Sequence, residues 1–231
     1  MKTIGLIGGM SWESTATYYR IINKYVYECL GGLNSARIIL YSFNFAQISR
    51  LQKAGKWEEA GKELARAGKS LEQAGADFLV IATNTMHKVA ETVENAVSIP
   101  LLHIADPTAE ALHNERISRV GLIGTAFTME DNFYKRRLIQ NSELEVLIPC
   151  EEDRQLVHNV IFDQLCQGQV LEQSRRQYQQ VIESLAGQGA QGVILGCTEI
   201  SMLIGPGQAV IPLFDTTAIH ARRAAEMSLQ K

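Results

Sequence analysis

The sequence lacks any CxxC pair, and none of its four cysteines (Cys29, Cys150, Cys166 and Cys197) stands beside a histidine ligand. A structural zinc site of the usual spacing and a disulfide framework are therefore excluded, and the four are expected as free thiols. Positive charge is not in excess either. With 22 Lys and Arg against 25 Asp and Glu, the net charge is -3, so there is no basic stripe to neutralise a phosphate backbone and nucleic acid is not an expected partner. No apolar run approaches the roughly 20 residues that span a bilayer. The start, MKTIGLIGG, reads as a strand entering a glycine turn rather than as a signal peptide. A cytoplasmic protein away from membranes is the expectation. GLIGGM has neither the spacing of the GxGxxG fingerprint nor an acidic partner for a ribose. No low-complexity linker or block of like charge breaks the chain.

What remains is a chain of 231 residues with 46% hydrophobic content, enough for one large core or two small ones. Apolar runs at 3–8, 36–43, 78–82, 100–104, 119–124, 144–148, 192–196 and 209–214 read as strands. Segments with apolar residues every three or four positions lie between them, among them STATYYRIINKYVYECL and SRRQYQQVIESLAGQG. This alternation predicts an α/β protein with parallel sheets covered on both faces.

The pattern also repeats. GLIGGM (5–10) is matched by GLIGTA (121–126), GADFLVIATNT (75–85) by GAQGVILGCTE (189–199), and IPLLHIADPTAEA (99–111) by IPLFDTTAIHARR (211–223). Three matches in the same order, 116, 114 and 112 residues apart, predict a duplicated half. Two pseudo-symmetric parallel-sheet domains follow, with the active site in the cleft between them at the carboxyl ends of the strands. Thr83 and Cys197 occupy that end in their respective halves and are expected to address one small ligand from opposite sides.

Such a pair suits the removal of a proton from one face of a carbon and its return to the other. A thiol of reference pKa about 8.5 serves as base, the more so if a helix N-terminus following Cys197 lowers it. The plain alternative for Cys197 is a small buried hydrophobe. The Thr83 hydroxyl donates a proton more readily than it abstracts one. Its alternative is a helix cap, with Asn84 and Thr85 as rival caps.

GGMSWEST (8–15), NTMHK (84–88) and GCTEI (196–200) resemble the aspartate/glutamate racemase family, and the resemblance runs strand by strand through the chain. It looks closest to the branch of L-aspartate/glutamate-specific or broad-spectrum amino-acid racemases in which threonine replaces the first cysteine. The resemblance implies an enzyme independent of PLP and of metal, with no cofactor, an amino acid as its small-molecule partner, and a homodimer. It also implies that Cys197 is one proton carrier and that Thr83 stands where the other cysteine would be; Ala82 before it supplies no thiol. Substrate contacts carried over by motif fall on Met10, Gln52, Asn84, Thr85, Thr198 and Glu199. Backbone N–H groups and hydroxyls there would hold the α-carboxylate, and Glu199 would face the ammonium group or tune its neighbours. The plain alternatives are core packing for Met10, a solvated helix face for Gln52 and a helix-start carboxylate for Glu199.

The family topology further implies that the C-terminal helix, ARRAAEMSLQ, returns to the first half, giving domains 1–98 plus 213–231 and 99–212. Acidic-substrate members place Arg and Lys around the cleft, whereas FAQIS (45–49) and LCQG (165–168) hold neither. His87 and His103 read first as hydrogen-bonded core residues, and Asp106 and Asp215 as helix N-caps. The expected activity is racemisation of L-aspartate or L-glutamate with asymmetric turnover. The alternatives are a broad-spectrum racemase of neutral amino acids, a one-cysteine decarboxylase or isomerase, and a small-molecule binding protein without turnover.

Overall fold

Each apolar run that the sequence offers as a strand finds a parallel neighbour, because the helix following it returns the chain to the same edge. The computed structural model describes residues 1–140 and 144–230. In chain order it contains β1 (Ile4–Gly8), α1 (Trp12–Leu30), β2 (Ile38–Ser42), α2 (Phe45–Lys53), α3 (Trp57–Gln73), β3 (Phe78–Ile81), α4 (Ala90–Glu94), β4 (Leu101–Leu102) and α5 (Ala105–Asn114). There follow β5 (Arg119–Gly124), α6 (Ala126–Glu130), α7 (Asn132–Ile139), β6 (Glu145–Leu147), α8 (Glu151–Asp163), α9 (Glu172–Gly187), β7 (Gly192–Gly196), α10 (Ile200–Leu203), β8 (Leu213–Asp215) and α11 (Thr216–Leu229). Short 3-10 turns occupy Thr85–Val89 and Leu165–Gln167.

Two four-stranded sheets result, with orders β2-β1-β3-β4 and β6-β5-β7-β8 and every pairing parallel. The identical order is the structural form of the sequence repeat. The chain divides into two compact units, Met1–Ile104 with the segment from His220 on, and Ala105–Ile219. Both boundaries lie beyond the expected 98/99 and 212/213. The reason is strand pairing: β4 bonds to β3 and so closes the first sheet, while β8 bonds to β7 and closes the second.

In the first unit the period-2 alternation of the strands sends Ile4, Leu6, Phe78 and Val80 to one face and Ile7, Leu79 and Ile81 to the other. The first face packs on Tyr18, Ile22 and Val26 of α1 and on Ala221, Ala224 and Ala225 of α11. The second packs on Leu64, Ala67 and Leu71 of α3 and on Ile48 of α2. In the second unit Ile123, Val193 and Leu195 meet Val157 and Ile161 of α8 and Tyr178, Val181 and Ile182 of α9. Truncating a fully buried leucine such as Leu64 typically costs about 2–5 kcal/mol.

Hydrogen bonding pins α11 to the first sheet. The His220 Nε2 lies 2.9 Å from the Leu102 carbonyl oxygen, and its Nδ1 lies 2.8 Å from the Tyr18 hydroxyl. A carbonyl only accepts, so Nε2 carries the proton and Nδ1 accepts from tyrosine. Burial first, and then the neighbouring His87, push the His220 pKa down to about 3, against the pull of the Leu102 carbonyl. A pKa lowered on folding contributes stability above the unfolded value near 6.5 and loses it as the pH falls from there towards 3. Acidification from pH 7 to 4 is expected to remove roughly 3 kcal/mol through this group. Urea unfolding of the wild type and of His220→Gln at both pH values checks this. An equal acid dependence in the two proteins would sink it.

Candidate active site

The glycine turn after β1 is shaped by one close approach. Gly9 has φ +80, and a Cβ on it would stand 2.3 Å from the Phe43 carbonyl oxygen, so only glycine lets β1 turn against the end of β2. Helix α1 then starts at once: the Ser11 side chain caps it by accepting from the Ser14 N–H at 3.3 Å. Thr15 Oγ1 accepts from the Gly9 N–H at 2.8 Å and donates to the Ser11 carbonyl at 2.9 Å. Ser14 Oγ donates to the Ala82 carbonyl at 2.9 Å. The hydroxyls of Ser14 and Thr15 thus join the turn after β1 to the end of β3. They are residues that motif reading did not single out, although two adjacent hydroxyls in a helix's first turn were the available signal.

Thr83 lies at the end of β3, half-buried, with its N–H donating to the Ile81 carbonyl at 2.9 Å. Asn84 and Thr85 beside it are buried and open the 3-10 turn, where Asn84 stands at the capping position but makes no side-chain cap bond. Gln52 is only 5% exposed, which overturns the reading of a solvated helix face. Its Nε2 donates to the Met86 sulfur at 3.1 Å. Met10 is buried in the same apolar cluster as Met86 and Ile48. The structure therefore brings Met10, Gln52 and the turn carrying Asn84 and Thr85 to the carboxyl edge of the first sheet, where strand order reverses between β1 and β3.

The second unit repeats the plan with different chemistry. Gly196 ends β7, and a Cβ there would stand 3.0 Å from the Ile123 carbonyl oxygen, so β5 and β7 approach closely just before Cys197. Cys197, Thr198 and Glu199 are all buried. Cys197 Sγ lies 3.0 Å and Thr198 Oγ1 2.6 Å from Glu199 Oε2, so one carboxylate oxygen accepts from both. Glu199 stands at the start of α10 but makes no side-chain cap bond, so the carboxylate faces the thiol rather than the helix end. Helix α10 has four residues, too few for the dipole of a longer helix. The expectation of a lowered thiol pKa is accordingly reversed. Burial, then the Glu199 charge and then nearby Cys166 push the Cys197 thiol well above its usual range. At neutral pH Cys197 is a protonated donor beside an acceptor. Cys166, also held up to about 12 by burial and by Glu199, is a thiol as well.

The remaining expected residues separate. Asp215 does cap α11, its Oδ1 accepting from the Thr217 and Ala218 N–H groups at 2.9 and 3.2 Å. Asp106 instead lies inside the first turn of α5 and forms a two-point ion pair with Arg137 at 2.6 and 2.8 Å. His87 and His103 are buried core residues in ring contact, with centroids 4.5 Å apart. Among the described residues no group of three or more His, Cys, Asp and Glu is placed to hold a metal ion, and no helix is long and apolar enough to cross a membrane.

Residues 7–224 match the model of a family described as Asp/Glu/hydantoin racemase. The broad specificity amino-acid racemase RacX of Bacillus subtilis (strain 168) is 24% identical over 222 residues, covering 95% of each chain. A crystal structure from Yersinia pestis, described as a candidate Asp/Glu racemase, is 51% identical with a TM-score of 0.93 and full coverage of both chains. An aspartate racemase homologue from Pyrococcus horikoshii OT3 is 33% identical, TM-score 0.86, again over the whole of both chains.

Proposed function

We propose, from the premise that the chain belongs to the Asp/Glu/hydantoin racemase family, that it interconverts the L and D forms of an amino acid without a cofactor, with aspartate and glutamate as its substrates. One observation carries the reading: Thr83 and Cys197 follow the equivalent strands β3 and β7 of two sheets with identical order. In this reading they serve opposite faces of one α-carbon.

The buried thiol sets the order of events. Cys197 gives its proton to Glu199 Oε2, 3.0 Å away, and the thiolate so formed takes the α-proton of the L-isomer. The carbanion then receives a proton from the Thr83 hydroxyl, or from a water that it holds, on the opposite face; solvent reprotonates the alkoxide or hydroxide so formed and takes the proton from Glu199, which restores the resting groups. Asn84, Thr85 and Thr198 offer N–H and hydroxyl donors to the α-carboxylate, and Met10 and Gln52 line the side-chain end.

Glu199→Gln tests the first step. It keeps the size of the side chain but removes the proton acceptor, and a loss of about 10²-fold in kcat is expected with KM changed only a few-fold. Because the Glu199 charge also holds the Cys197 pKa up, its removal shifts the alkaline limb of the pH–rate profile down towards the ordinary thiol range. A more active variant would show that Glu199 only suppresses the thiolate.

The protonated state of Cys197 also suits a second reading, in which it protonates a carbanion left by decarboxylation. Proton NMR in deuterated water with L-aspartate, L-glutamate and a neutral amino acid, with chiral analysis of the product, separates the two. Loss of the α-proton signal with appearance of the D-isomer supports the racemase. No exchange with any amino acid removes that reading and leaves the decarboxylase.

A further inference from the structure

The peptide that carries Thr83 is held from behind by a histidine. In an α-helical turn the Thr83 carbonyl would accept the backbone N–H four residues on, but the chain here enters a 3-10 turn and the His87 N–H goes to the Asn84 carbonyl at 3.0 Å. The side chain replaces the missing bond: His87 Nδ1 lies 2.8 Å from the Thr83 carbonyl oxygen. The other ring nitrogen, Nε2, accepts from the Ile104 N–H at 3.2 Å.

These partners fix the tautomer. An N–H group only donates, so Nε2 is bare; a carbonyl only accepts, so the proton is on Nδ1. The ring is buried and wedged between His103 and His220, with centroids 4.5 and 5.8 Å away. His220 is itself tied to the Leu102 carbonyl and to Tyr18. Three of the five histidines in the chain meet here, and they link α1, the end of β4 and α11 to a single carbonyl, that of Thr83.

We propose that His87 is a positioning residue for the second proton transfer: by donating from Nδ1 to the Thr83 carbonyl it fixes the orientation of the Thr83 hydroxyl, while taking no proton itself. This rests on the racemase reading. It predicts that loss of the Nδ1 donor spoils delivery by Thr83 and spares the Cys197 half of the reaction.

The two ring nitrogens can be removed separately. His87→Asn keeps an amide N–H near the Nδ1 position and loses the Nε2 acceptor; His87→Gln reaches the Nε2 position and loses the donor to Thr83. With the L-substrate in deuterated water, α-proton exchange with retention reports Cys197, and inversion reports Thr83. For His87→Gln, inversion is expected to fall about 30-fold while exchange with retention stays within about 3-fold of the wild type. His87→Asn is expected to restore inversion to within about 5-fold of wild type. Exchange and inversion falling together in His87→Gln, or equal impairment of the two variants, overturns the proposal and leaves His87 a packing residue. A wild type that exchanges no amino acid removes the parent reading instead, and that result is visible before any variant is made.

Discussion

Replacement of Cys197 by serine is expected to lower racemisation about 10³-fold while leaving amino-acid binding within a few-fold of the wild type. The serine hydroxyl is close in size to the thiol and still reaches Glu199, which now lies 3.0 Å from the sulfur, so the buried carboxylate keeps a donor. What changes is acidity. Even raised by burial and by Glu199, a thiol ionises far more readily than an alcohol, and only the ionised form takes an α-proton. The loss is therefore expected in kcat, and α-proton exchange is expected to disappear with it, because the proposed mechanism gives both the same base. Steady-state kinetics with chiral detection, beside calorimetric titration with L-aspartate, checks both halves. Turnover within about 10-fold of the wild type would remove Cys197 from the chemistry. Binding preserved in both proteins with turnover in neither would identify a binding protein.

The fold was legible because its signal is repeated. All eight apolar runs form strands, and the three repeated segments become equivalent strands and turns of two sheets of one order. Boundaries were less legible. Leu101 and Leu213 both follow a proline within a matched IPL segment, which marks each as the last strand of its own half; the family-based division at 98/99 and 212/213 set that internal evidence aside.

At the candidate site the sequence revealed residue types but not their surroundings. Gln52 is polar on a helix with exposed polar neighbours, and only tertiary packing shows that its amide is turned onto Met86. The state of Cys197 depends on how deeply β7 is buried and on which way the Glu199 side chain points; neither follows from GCTEI. His87 is the hydrogen-bonded core residue that the sequence suggests, but its partners were hidden for a related reason. Its bonds to the Thr83 carbonyl and to the Ile104 N–H are made with backbone atoms, which every sequence possesses alike, so no pattern of side chains announces them.

In the proposed mechanism Thr83 is the residue on which the stereochemical outcome turns, and Thr83→Ala is expected to separate exchange from inversion. With the L-isomer in deuterated water, Cys197 still removes and returns the proton on its own face, so deuterium enters with retention; formation of the D-isomer falls about 10²–10³-fold, the usual worth of a general acid. Thr83→Cys makes the opposite change. Thr83 is half-buried rather than buried, so a thiol there would ionise nearer its reference pKa of about 8.5 than Cys197 does, and abstraction from the D-isomer would become the easier of the two. The free isomers have equal energy in water, so kcat/KM must be equal in the two directions for every variant, and asymmetry shows only as matched differences in kcat and KM. In the wild type the D-isomer is expected to turn over more slowly with a correspondingly lower KM, because an alcohol must act as base. In Thr83→Cys its kcat is expected to rise about 10-fold relative to that of the L-isomer. Progress curves from both isomers, followed by polarimetry and by deuterium content, measure each quantity. Inversion undiminished in Thr83→Ala would show that the second proton comes from another group, and a D-isomer kcat unmoved in Thr83→Cys would show that this strand end never meets the α-carbon.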